Sequence, residues 1–108
     1  MRFNELKQQI KKIGVGELRK ESDNYFEAVL LKASMDELGR KLNDFFGEPV
    51  WPSWKKLPPQ AEKAIKAYGG ILKGQTLYFC KLDDAVMFAM LWPWADGKNI
   101  TVKVVRQG

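Results

Sequence analysis

The residues with the most chemical character in this 108-residue chain are four tryptophans in two pairs, each bracketing a proline. They occur as Trp51-Pro52-Ser53-Trp54, followed by Lys55 and Lys56, and as Trp92-Pro93-Trp94, followed shortly by Lys98. Indoles offer large, rigid, amphipathic surface at low entropic cost, which suits them to anchoring a bound peptide, base or sugar. The bland alternative is that the proline-rich connector folds over the end of a sheet and the indoles pack there as a secondary core. The binding reading takes Trp51, Trp54, Lys55, Lys56, Trp92, Trp94 and Lys98 as one aromatic and basic contact surface.

The remaining inventory points away from catalysis. There is no histidine, so the commonest general acid–base and the commonest metal ligand are both missing. The single cysteine, Cys80, falls inside an apolar run and reads as an inert buried thiol, without an imidazole to activate it. Asp83, Asp84 and Asp96 stand at turns, where carboxylates serve the backbone. Gly69-Gly70-Ile71-Leu72-Lys73-Gly74 resembles a phosphate loop only superficially, because lysine precedes the glycine and the segment follows a helix. No catalytic residue, cofactor or metal is expected, and an enzyme built on carboxylate and lysine groups ranks third among the functional readings.

The charge is +5 and is unevenly placed. Residues 1–54 carry nine basic and nine acidic residues, whereas 55–108 carry nine basic and four acidic ones. The excess in Lys63, Lys66, Lys73, Lys81, Lys103, Arg106 and their neighbours makes nucleic acid the alternative partner. Only four of the 18 basic residues are arginine, and the Tyr78-Phe79 strand lacks the pattern of sheet-based RNA readers. Lys103 has a second reading, as a charge that discourages pairing at a sheet edge.

These side chains need elements to hold them. Phe3, Leu6, Ile10 and Ile13 recur at helical spacing, with Asn4 as an N-cap and Gly14 as a stop. Residues 15–32 are ambiguous: a strand from about Tyr25 to Lys32, paired with Glu17–Lys20 as a hairpin, competes with a helix starting at Ser22. Ser34 and Glu37 have capping-box spacing ahead of a helix to Phe46, with Met35, Leu38, Leu42, Phe45 and Phe46 on its apolar stripe. A further helix runs from about Gln60 to Tyr68 and ends at Gly69-Gly70. The last third reads as three strands, Thr76–Leu82, Val86–Trp92 and Ile100–Arg106, the last two joined by a hairpin containing Asp96-Gly97.

The expected fold is therefore α+β: one domain over residues 1–108, with an antiparallel sheet of three to five strands, a C-terminal β-meander and about three helices on one face. With one cysteine, no apolar N-terminal segment and no run of about 20 apolar residues, a cytoplasmic protein without a membrane span is expected. The leading functional reading is a non-enzymatic protein-binding or accessory module, whose partner is another protein or a second copy of the chain.

Overall fold

The computed structural model describes residues 2–52, 56–82 and 85–107. Trp54 and Lys55, together with the Asp83-Asp84 turn, lie outside the described residues. The elements run α1 (Arg2–Gly14), β1 (Glu17–Glu21), β2 (Tyr25–Leu31), a 3₁₀ turn (Lys32–Ser34), α2 (Met35–Phe46), α3 (Pro59–Lys66), β3 (Thr76–Lys81), β4 (Val86–Pro93) and β5 (Asn99–Gln107).

All five strands join one antiparallel sheet in the order β1-β2-β5-β4-β3. The meander β3-β4-β5 forms as expected. The ambiguous stretch resolves as the hairpin β1-β2, in which Tyr25, Phe26, Val29, Leu30 and Leu31 exert their strand preference. That hairpin docks on β5 with Tyr25 opposite Val105 and Leu31 opposite Asn99. β5 is thus the central strand, and Lys103 stands in the middle of the sheet rather than at an edge.

Side-chain alternation divides the sheet between two cores. On the first face Phe26, Ala28, Leu30, Tyr78, Met87, Ala89, Leu91, Ile100, Val102 and Val104 meet Phe3, Leu6 and Ile10 of α1 and Leu38 and Leu42 of α2. On the second face Leu77, Phe88, Met90 and Val105 meet Ala61, Ala64 and Ile65 of α3. The expectation that the helices share one face is corrected here: α1 and α2 lie on one side and α3 on the other. The physical reason is that β4 and β5 are apolar on both faces, with Phe88, Met90 and Val105 opposing Met87, Ala89 and Val104. Two apolar faces require two covers.

Local details differ from the expected capping. α1 begins at Arg2, so Asn4 lies within it. Ser34 makes no side-chain capping bond, because the preceding 3₁₀ turn leaves it at φ −87°, ψ 1° instead of the extended conformation an N-cap adopts. α3 stops as anticipated: Gly70 N–H donates to the Ile65 carbonyl, and Gly69 and Gly70 have φ of 92° and 72°. Glycine adopts those angles without the steric penalty a Cβ brings.

Candidate functional site

The connector after α2 is built onto the sheet. Trp51 pairs with Leu77 at the outer edge of β3, with Trp51 N–H donating to the Leu77 carbonyl at 3.3 Å and Leu77 N–H returning to the Trp51 carbonyl at 2.9 Å. α3 opens at Pro59, a residue with no N–H to leave unpaired there. Between connector and helix lies a groove of about 770 Å³. Trp51, Leu57, Pro59, Ile65 and Ile71 supply its apolar lining, with Lys56, Glu62 and Lys66 at its rim. A shallower depression next to it, lined by Pro59, Glu62, Lys63 and Lys66, extends the basic rim along α3.

Trp51 and Trp92 both pack against the second core. Their Nε1 atoms are buried and have no hydrogen-bond partner among the described residues. A buried unpaired donor costs about 1–3 kcal/mol, which the packing of each ring against the second core offsets. Trp92 is further enclosed by Gly69, where a Cβ would sit 4.0 Å from the ring's Cη2, and by the Lys103 ammonium, 3.6 Å from the ring centroid.

Trp94 follows a different course. Pro93 completes β4 opposite Ile100, and Trp94 N–H donates to the Asn99 carbonyl, which brings the indole back over β5. Its Nε1 donates to Thr101 Oγ1 at 2.8 Å, and the Arg19 guanidinium lies 5.5 Å from its ring centroid. It remains 36% exposed. The hairpin beside it is held by Asp96, whose carboxylate accepts from the Lys98 and Asn99 amides and from Asn99 Nδ2. Those bonds, the Lys98 amide first, hold the Asp96 carboxyl below its ordinary value. Lys98 itself is exposed.

The expected single surface therefore divides. Trp51 and Lys56 belong to the groove, Trp92 lies beneath Lys103, and Trp94 and Lys98 belong to the hairpin end of the sheet. The basic residues of the second half spread as well: Lys63 and Lys66 are on α3, while Lys103 and Arg106 alternate to opposite faces of β5.

One group of residues escaped the sequence reading. Arg19 sits at a β-bulge, where the β1–β2 register shifts between Leu18 and Lys20. A bulge re-aims its side chain, and Arg19 reaches Glu17 at 3.2 Å and Glu27 at 3.8 Å. Glu27 accepts from the Tyr25 hydroxyl at 2.6 Å and stands directly opposite Lys103 in the ladder. Burial, and then the bond to Glu27, push the Tyr25 phenol well above its usual value. Burial lowers the Lys103 ammonium pKa, an effect Glu27 opposes and Arg19 reinforces. The missed signal was Glu27 within an otherwise apolar strand.

Among the described residues no group of three or more His, Cys, Asp or Glu side chains is arranged to hold a metal ion, and no helix is long and apolar enough to cross a membrane. Comparisons with protein-family models, with curated proteins and with solved structures each find no match.

Proposed function

We propose that the chain is a protein-binding module that receives an extended acidic peptide segment, carrying an apolar anchor residue, in the groove between the connector and α3. The observation that carries this reading is the groove's make-up: an apolar floor of Trp51, Leu57, Ile65 and Ile71 below a rim of Lys56 and Lys66. An apolar anchor gains burial against Leu57, Ile65 and Ile71. Acidic flanks gain electrostatic complementarity to the lysines. The charge excess of residues 55–108 supports the same polarity of partner.

Selection from a displayed library of random peptides of about 12 residues tests this directly. Enriched sequences are expected to combine Asp or Glu with a bulky apolar residue. Their affinity is expected to fall several-fold between about 0.05 and 0.5 M salt, and again in Lys66→Glu. Enrichment of basic peptides, or affinity indifferent to Lys66→Glu, would remove the proposal. Salt-sensitive retention of single-stranded nucleic acid with no peptide enrichment would favour the alternative partner.

A further inference from the structure

The glycine-rich segment after α3 carries an apolar side chain that neither core uses. Leu72 is 64% exposed, the highest value among the exposed large apolar residues described. Its neighbour Ile71 is half-buried and lines the groove, so Leu72 stands one residue from the groove wall. A single exposed leucine is ordinary on a protein surface. This one is held in a built turn. Gln75 N–H donates to the Leu72 carbonyl at 3.1 Å, and Leu72 N–H donates to Gln75 Oε1 at 2.7 Å. Gly74, with φ of 86°, takes the third position of the turn, where a type II geometry requires a positive φ.

We propose that Leu72 is a second apolar contact for the peptide in the groove, so that the ligand is an acidic segment with two apolar residues. One sits in the groove and the other packs against the Leu72 turn. The inference rests on the groove reading above and adds the pattern of the ligand to it. Both turn bonds use the Leu72 backbone, which leaves its side chain free of any role in holding the turn. A contact residue already ordered in the free protein loses little entropy on binding. Covering it removes from water apolar surface that folding left exposed.

Charge selects the same occupant. Lys73 follows Leu72 directly, and Lys56 and Lys66 line the groove. None of the three is ion-paired among the described residues, where Lys7, Lys11 and Arg19 supply the cations of the ion pairs. Glu62 is the only acid among the described lining residues of the groove. Acidic residues beside the two apolar ones therefore meet lysines at the groove rim and again at the turn.

Shape separates a peptide chain from an anionic bilayer, which shares the preference for leucine and lysine. A lipid surface reaches the exposed Leu72 but leaves the lining of Leu57 and Ile71 in the concave groove unfilled. An extended chain reaches both. At about 3.3 Å per residue, four positions of such a chain span about 13 Å, so the second apolar residue is expected within about four positions of the first.

The test uses labelled library-selected peptides of about 12 residues, with affinity for the intact chain read by fluorescence anisotropy. Leu72→Ser is expected to weaken them about five- to tenfold, as loss of one apolar contact does, with Tm unchanged because both turn bonds remain. Alanine at the peptide's second apolar position is expected to cost the same factor in the parent chain and almost nothing in Leu72→Ser. Gln75→Ala removes the acceptor of the Leu72 amide and is expected to weaken binding about two- to threefold in the parent and not in Leu72→Ser. Affinity that falls in Lys66→Glu but is indifferent to Leu72→Ser would overturn this proposal and leave the groove reading standing. Affinity indifferent to both variants, or a selection that enriches nothing, removes the two together. Leu72-dependent sedimentation with phosphatidylserine vesicles, alongside peptide affinity indifferent to Leu72→Ser, would overturn it in favour of a lipid surface.

Discussion

Trp94→Phe separates a docked indole from a free contact residue. The substitution keeps an aromatic ring under Arg19 and removes the 2.8 Å bond from Nε1 to Thr101 Oγ1. A hydrogen bond of this kind contributes about 0.5–1.5 kcal/mol net, and a weaker cation–π contact subtracts up to about 1 kcal/mol more. The expected loss is about 0.5–2.5 kcal/mol. An unfolding entropy near 2.1 cal/mol/K per residue gives about 0.23 kcal/mol/K for 108 residues, so Tm should fall by about 2–11 °C. Thermal unfolding of the parent, Trp94→Phe, Thr101→Val and the double variant closes a double-mutant cycle with a coupling of about 1 kcal/mol. A coupling indistinguishable from zero, with Tm of Trp94→Phe unchanged, would refute the reasoning. Trp94 would then be a loose surface ring and would return to the list of contact residues.

Two other perturbations probe the two cores. Leu42→Ala empties a fully buried position in the face covered by α1 and α2, so chemical denaturation should show a loss of about 2–5 kcal/mol. On the alkaline side, Tyr25 and Tyr78 both have raised phenol pKa values, chiefly through burial. The unfolded chain ionises first, so the stability these phenols contribute is complete below about pH 10 and is lost as pH rises through their folded values. Tyr25→Phe should flatten that alkaline decline in a pH series of denaturation midpoints.

What the sequence revealed followed from periodicity, and what it concealed followed from lateral arrangement. The alternation of Ile100, Val102 and Val104 against Thr101, Lys103 and Val105 placed each residue on its observed face. Alternation does not say which strand lies alongside, so Lys103 read as an edge charge although β5 is central. Ala61, Ala64 and Ile65 marked the packing side of α3 but not the sheet face it meets. That followed only from β4, whose unbroken run Met87–Leu91 is apolar to both sides. Ser34 and Glu37 had the spacing of a capping box, yet the 3₁₀ turn Lys32–Ser34, tied by the Lys32 amide to the Lys98 carbonyl, set the backbone first.

The candidate sites show the same division. The tryptophan pairs were conspicuous, and Trp51 with Lys56 does line a groove. Read from sequence, both pairs belong to one contact surface, whereas Trp92 faces Gly69 and Lys103 while Trp94 turns to Thr101 and Arg19. The Lys103–Glu27–Tyr25 cluster was illegible because it depends on the β2–β5 register, a contact between segments more than 70 residues apart. Arg19 joins it only through the bulge.

The indole N–H resonances of Trp51 and Trp94 give the most direct test of the binding account. In ¹H–¹⁵N spectra recorded with a library-selected acidic peptide, the Trp51 Nε1 resonance should move on binding while that of Trp94, held by Thr101, stays in place. Movement of Trp94 with Trp51 unchanged would contradict the assignment of the groove as the peptide site.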